Sequence, residues 1–142
     1  MIYFVMFTET RTLLKNNGKS VTGVRSAILD ILRSATSPLS PKQILSLIIM
    51  KKPDLATVYR NLSLMKSLGI INSVDLGEGF KRYELNHPES HKHHVICRSC
   101  GKIEDIEECG LQKLEMRIAK KIGFKIEKHR LEFFGLCALC RE

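Results

Sequence analysis

Apolar residues along the first half of this chain recur with a helical period, in segments separated by turn-forming residues. Thr8 to Asn17 reads as a short first helix ending at Gly18, a good stop. Thr22 caps a second helix, in which Val24, Ala27, Ile28, Ile31 and Leu32 recur at i, i+3, i+4, i+7 and i+8, the stripe of a helix buried on one side. The stretch from Ser34 to Leu39 breaks it. Ser40 followed by Pro41 is an N-cap with proline at the first helical position, and Ile44, Leu47 and Ile48 supply the apolar face of a third helix that Pro53 ends. Asp54 caps a fourth helix running through Leu68, with Leu55, Val58, Leu62 and Met65 facing inward and Gly69 closing its end. The period then changes: Ile70–Asp75 and Lys81–Leu85 flank Gly77-Glu78-Gly79, which predicts a β-hairpin.

The second half has a different grain. Val95-Ile96 and Ile103–Ile106 read as short strands, Gly110–Ile122 as an amphipathic helix with Leu111, Leu114, Ile118 and Ile122 on one face, and Phe124–Phe133 alternates as a strand. The expected fold class is therefore α+β, with a winged helix-turn-helix domain over residues 1–86 and a small α/β domain over residues 87–142, joined at His87-Pro88. The apolar helix face and exposed strand edges of the second domain suit dimerisation.

Charge gives the first domain a direction. The chain of 142 residues carries net charge +8, and residues 1–86 hold 12 Lys and Arg against 6 Asp and Glu, while residues 87–142 hold 11 against 9. The basic excess, and the attraction for a polyanion that goes with it, is concentrated in the first half. In a winged helix the last helix before the wing enters the major groove, which puts Thr57, Tyr59 and Arg60 toward DNA, with Lys19 and Arg25 as further basic contacts. Hydrophobic residues at 44% and charged residues at 27% describe a globular protein, and no apolar run approaches the ~18 residues of a membrane span. The opening Met1–Phe7 lacks the basic start and cleavage site of a signal peptide. We expect a cytoplasmic protein with no membrane partner and no small-molecule substrate.

Chemistry is concentrated in the ten residues from His91 to Cys100, which hold three imidazoles and two thiols. Cys97-x-x-Cys100 is answered after 36 intervening residues by Cys137-x-x-Cys140. Two such pairs can close a tetrahedral four-thiolate site around structural Zn2+. Gly101 and Gly135 beside them favour the knuckle turns, and a disulfide framework fits a reducing compartment less well. Cys109 stands outside both pairs; a small apolar residue is its first reading and an extra metal or redox ligand its second.

The string Asp54-Leu-Ala-Thr-Val-Tyr-Arg-Asn-Leu62, the wing after it, the His-x-His-His-x-x-Cys-x-x-Cys-Gly run and the terminal CxxC together resemble the ferric uptake regulator family, from about Gly18 to Cys140. The resemblance implies a homodimeric, metal-dependent repressor of double-stranded DNA, binding an AT-rich inverted repeat. It implies a structural four-cysteine zinc and one or two further sites for a divalent metal, Zn2+ or Fe2+ first and Ni2+ or Mn2+ next. Glu84, His94 and Asp105 fall where the family places hinge-site ligands. Lys92 and Pro38, however, stand where many members have ligating histidines, leaving His87 as a candidate to fill the gap. A second site maps onto His91, His93 and His129, with Gln112 where a Glu is usual. Strand alternation puts His91 and His93 on one face and His94 on the other, as two separate sites require.

Two readings compete with a metal-sensing repressor. One is a constitutive winged-helix and zinc-ribbon DNA binder whose only metal is structural, a reading that Lys92, Pro38 and Gln112 favour. The other is a zinc enzyme, but no proline precedes Cys97 as in the deaminase pattern, and four cysteine ligands leave no position for water. We expect no enzymatic activity.

Overall fold

The computed structural model describes residues 11–12, 14–49, 51–86 and 92–142. The chain divides into two compact units, Met1–Asn86 and His87–Glu142.

In the first unit, residues 11–12 and 14–16 are helical, and Leu14 is fully buried. The Thr8 start expected for this helix lies outside the described residues. Helix α1, Gly23–Ser34, begins where Thr22 Oγ1 accepts the Arg25 N–H at 3.3 Å. It buries Ile28, Leu29 and Leu32. Leu29, which the stripe left out, is sealed because the helix is covered on a wider arc than its i, i+3, i+4 positions span.

Helix α2, Pro41–Leu47, carries a complete capping box: the Gln43 N–H donates to Ser40 Oγ at 3.2 Å, and the Ser40 N–H donates to Gln43 Oε1 at 2.9 Å. It ends well before Pro53, contrary to expectation. Ile48 leaves helical geometry with ψ 115° and is driven into the core, so Leu47, expected inside, is left 51% exposed. Positions i, i+3 and i+4 share a face only while the helix continues, and this one stops at Leu47.

Helix α3, Leu55–Ser67, starts at Asp54, whose Oδ1 accepts the Thr57 N–H at 2.7 Å. Hydrogen bonding to Thr57 also holds the Asp54 carboxyl below its usual pKa. Val58, Leu62 and Met65 are fully buried. Strands β1, Ile71–Asp75, and β2, Lys81–Leu85, pair antiparallel in the register Ile71 with Leu85 to Asp75 with Lys81. Their turn needs left-handed backbone at Gly77 and Gly79, with φ of 74° and 81°, which glycine adopts without a Cβ penalty. Leu39 and Tyr83 exchange backbone hydrogen bonds of 2.9 and 2.8 Å, tying the segment before α2 to the hairpin. Arg82 reinforces that tie from β2, with a fork onto Glu78 at 2.6 and 2.8 Å and a bond to Gln43 Oε1 at 2.8 Å. Three helices on a shared core followed by this hairpin make a winged helix-turn-helix.

The second unit is a three-stranded sheet in the order β4-β3-β5 with one helix. Strand β3, His93–Cys97, lies between β4, Ile103–Ile106, running antiparallel, and β5, Glu132–Gly135, running parallel. Helix α4, Gln112–Ile122, ends at Gly123. The strand expected over Phe124–Phe133 is confined to its last residues and continues to Gly135; residues 124–131 have no regular structure. Alternation marks an amphipathic segment, but a strand also needs a ladder. The edge of β3 offers one only from His94 to Cys97. Among the described residues of this unit, the buried ones are His93, His94, Ile96 and Cys97, all on β3.

Candidate metal centres

The knuckle after β3 and the chain end after β5 meet because β3 and β5 pair in parallel, bringing Cys97 opposite Gly135. The Gly101 N–H closes the first knuckle onto Cys97 O at 2.9 Å, and the Cys140 N–H closes the second onto Cys137 O at 2.9 Å. All five cysteines are free thiols, and the sulfurs of Cys97, Cys100, Cys137 and Cys140 lie within 4.8 Å of one another. The Cys100 and Cys137 sulfurs are 3.7 Å apart. A tetrahedral zinc with Zn–S bonds of about 2.3 Å spaces its sulfurs about 3.8 Å apart, which the Cys100–Cys137 separation already matches, so this donor set fits the ion.

Electrostatics of the four thiols point the same way. The Cys97 thiol is lowered to about 6, first by the backbone N–H of Cys100 and then by that of Cys137, which donates to its sulfur at 3.3 Å. Cys137 is lowered too, by the backbone N–H of Leu139. Against a lowering hydrogen bond from Ser99, the neighbouring sulfurs of Cys137 and Cys100 push Cys140 up to about 11. Backbone donors thus favour thiolate at Cys97, while crowding of negative charge keeps the proton on Cys140. A divalent cation is what lets all four sulfurs be thiolates at once, releasing protons as it binds.

On one face of β3 a second group forms. His93 is 2% exposed, and its Nε2 lies 3.2 Å from His129 Nε2, with the rings stacked at 5.0 Å. Cys109 Sγ lies 3.3 Å from the same His129 nitrogen, and His129 Nδ1 meets Glu115 Oε1 at 2.6 Å. His93 and His129, paired in the sequence reading, are thus brought together. His91 lies outside the described residues. Gln112 opens α4 as an exposed residue, and Glu115, on the same helical face three residues on, is the side chain that reaches His129. Neither Cys109 nor Glu115 was singled out as part of this group. The i, i+3 relation of Gln112 and Glu115 could have signalled the second, but Cys109 has no spacing partner in the sequence.

The opposite face of β3 presents His94, opposite Asp105 on β4. His94 Nδ1 is 3.2 Å from Asp105 Oδ1, and Lys92 Nζ is 2.7 Å from Asp105 Oδ2. Asp105 therefore already carries a cation on one oxygen. Glu84 is in the first unit, half-buried on β2 opposite Asn72, where Pro38 is also buried. His87 lies outside the described residues.

The basic residues of the first unit are differently committed. Arg60 is exposed on α3, its guanidinium steadied by a 2.9 Å bond to Thr57 Oγ1, and Tyr59 beside it is 42% exposed. Lys19 is exposed. Arg25 is partly spent on structure: its Nε donates to Asn61 Oδ1 at 2.9 Å and its Nη1 to Ser20 O at 2.6 Å, linking α1 to α3.

Comparison with known proteins agrees with this architecture. The model of the ferric uptake regulator family matches residues 16–134. The ferric uptake regulation protein of Campylobacter jejuni is 33% identical, over 97% of this chain and 90% of its own length. The peroxide operon regulator of Bacillus subtilis is 34% identical, over 93% and 91%. Among solved structures, the Helicobacter pylori ferric uptake regulator, described with three functional metal-binding sites, superposes with a TM-score of 0.81 at 26% identity, covering 97% of this chain and 93% of that one. The Francisella tularensis regulator, solved with iron, gives 0.76 at 32% identity over 88% and 96%. This chain belongs to the ferric uptake regulator family and is a metal-responsive transcriptional regulator.

Proposed function

We propose that this protein is a homodimeric repressor that binds operator DNA when a divalent metal occupies the His93–His129 side of β3, while the four-cysteine group holds a permanent zinc. The observation that carries the reading is the presence of two separate ligand groups: four sulfurs within 4.8 Å of one another, and two imidazole nitrogens 3.2 Å apart. One group of four thiolates is closed and suits a structural ion. An imidazole group lacking that thiolate cage suits an exchangeable one.

Dimerisation is supported by what the second unit leaves uncovered. Helix α4 buries none of its residues, although Leu114, Ile118 and Ile122 form one stripe, and Phe133 and Phe134 are about half exposed on β5. Apolar surface left uncovered in this way is what a second copy covers. Two-fold symmetry then presents two copies of α3 to two half-sites, which predicts an inverted repeat, with AT-rich sequence as the family resemblance implies. The protein would work in the cytoplasm, where DNA is present and thiols stay reduced.

Recovery of genomic DNA fragments on the zinc-loaded dimer, with and without added Zn2+ or Fe2+, tests the reading. Metal-dependent enrichment of AT-rich inverted repeats is expected, and Arg60→Ala should weaken it about 10- to 100-fold. Equal recovery with and without the added metal would leave a constitutive DNA binder and overturn the proposal.

A further inference from the structure

We infer that Cys109 is a ligand, so that His93, Cys109 and His129 form a thiolate–imidazole site selective for a thiophilic tetrahedral cation, zinc, over manganese. This rests on the reading above that the His93–His129 group holds the exchangeable metal, and it names the class of ion that group takes.

The argument begins with Glu115. A carboxylate 2.6 Å from His129 Nδ1 calls for a proton on that nitrogen, which leaves the Nε2 lone pair facing His93 and Cys109. That single lone pair is approached by His93 Nε2 at 3.2 Å and by Cys109 Sγ at 3.3 Å. One ring acceptor directs only one lone pair and cannot satisfy two donors well. A cation centred among the three atoms resolves the conflict: it takes a lone pair from each imidazole, and the Cys109 proton leaves to solvent.

The distances suit such an ion. With Zn–N bonds of about 2.0 Å and Zn–S bonds of about 2.3 Å, tetrahedral neighbours stand about 3.3–3.6 Å apart, close to what the three donor atoms already show. His93 is buried, and Cys109 and His129 are half-buried, so the ion would sit in a largely dry, preformed place. A thiolate in the set shifts preference toward soft and borderline cations, whereas manganese favours carboxylate and water. Cys109 is thereby a specificity-determining residue, and Glu115 a positioning residue acting through His129.

Cobalt(II) added to the full-length dimer, with zinc retained in the four-cysteine group as checked by elemental analysis, reads out the ligand set directly. The expected result is tetrahedral d–d bands with a sulfur-to-cobalt charge-transfer band, the latter lost in Cys109→Ser while cobalt still binds. Glu115→Gln should keep the charge-transfer band but weaken cobalt about 10- to 100-fold. Excess zinc should displace the cobalt, and excess manganese should not. A spectrum of nitrogen and oxygen ligands only, unchanged by Cys109→Ser, overturns this inference and leaves the exchangeable site standing. No cobalt beyond the retained zinc overturns both.

Discussion

Around α1, α2 and α3 the residues sealed from solvent are Ile28, Leu29, Ile44, Val58, Leu62 and Met65, an apolar core of the ordinary kind. Around β3 they are two histidines, a cysteine and a single isoleucine. The contrast has an energetic meaning. The first unit can stabilise itself by removing hydrocarbon from water, worth roughly 1.5–3 kcal/mol for each large side chain fully buried. Among its described residues the second unit has almost nothing of that sort within one chain, and two of its buried side chains are imidazoles whose burial costs free energy unless their nitrogens are satisfied. What it has instead is ligands. On the reading proposed above, ions and a second copy over α4 and β5 supply its stability, which would make folding of this unit a metal-dependent event. A sensor built this way couples its signal to the part of the molecule that most needs the signal, while the DNA-binding unit keeps its shape.

The largest expected effect separates the two units outright. Replacing Cys137 by Ser removes one of four ligands from a site whose apparent binding free energy is about 10–16 kcal/mol in comparable structural zinc sites. Hydrogen exchange should then show the amides of β3, β4 and β5 losing protection and the protein becoming monomeric, while α1, α2 and α3 remain protected. Acid acts in the same direction, since protonating Cys97, lowered to about 6 without metal, competes with zinc. If the amides of β3 kept full protection in Cys137→Ser, the second unit would have to possess a core of its own.

The converse substitution is smaller. Leu62→Ala empties a fully buried position between α3 and the rest of the first unit, and should cost about 2–5 kcal/mol. Chemical denaturation should register that loss equally in zinc-loaded protein with and without exchangeable metal. A metal-dependent penalty would mean that the two units do not draw their stability from separate sources.

The same division decides what was legible in the sequence. Helical periodicity identified Ile28, Leu32, Val58, Leu62 and Met65 because an apolar core imposes a pattern on the residues that build it. The caps at Thr22, Ser40 and Asp54 were equally visible, since each places a side-chain oxygen at a fixed offset from an N–H. The early end of α2 was not, because the helix stops at Leu47, six residues before the proline that marks a boundary in the sequence. In the second unit the paired CxxC spacing is local and easily seen. The gathering of Cys109 and Glu115 onto His129 depends on where residues 124–131 run once they fail to find a strand partner, and no short-range pattern encodes that path.

The finest test of the contrast lies within β3, where His93 and His94 are adjacent and buried on opposite faces. Each face carries a carboxylate, Glu115 against His129 on one side and Asp105 against His94 on the other, but only Asp105 also holds an ammonium. On the His94 face, Lys92 Nζ sits 2.7 Å from Asp105, so a cation delivered there would have to displace or oppose a tethered ammonium. That ion pair is partly exposed and stabilises the fold by well under about 1 kcal/mol. Its effect on metal is larger, because a divalent ion about 4 Å from an ammonium meets repulsion even at a near-surface dielectric. Lys92→Ala should therefore leave thermal stability almost unchanged while making the His94–Asp105 face more receptive. In equilibrium titrations with zinc or cobalt, an additional weak site per chain should appear, and it should disappear again in Lys92→Ala combined with Asp105→Asn. A titration of Lys92→Ala superimposable on that of the unaltered protein would show that the ammonium does not control that face, and the difference between His93 and His94 would then lie in the His129 and Cys109 donors gathered at His93.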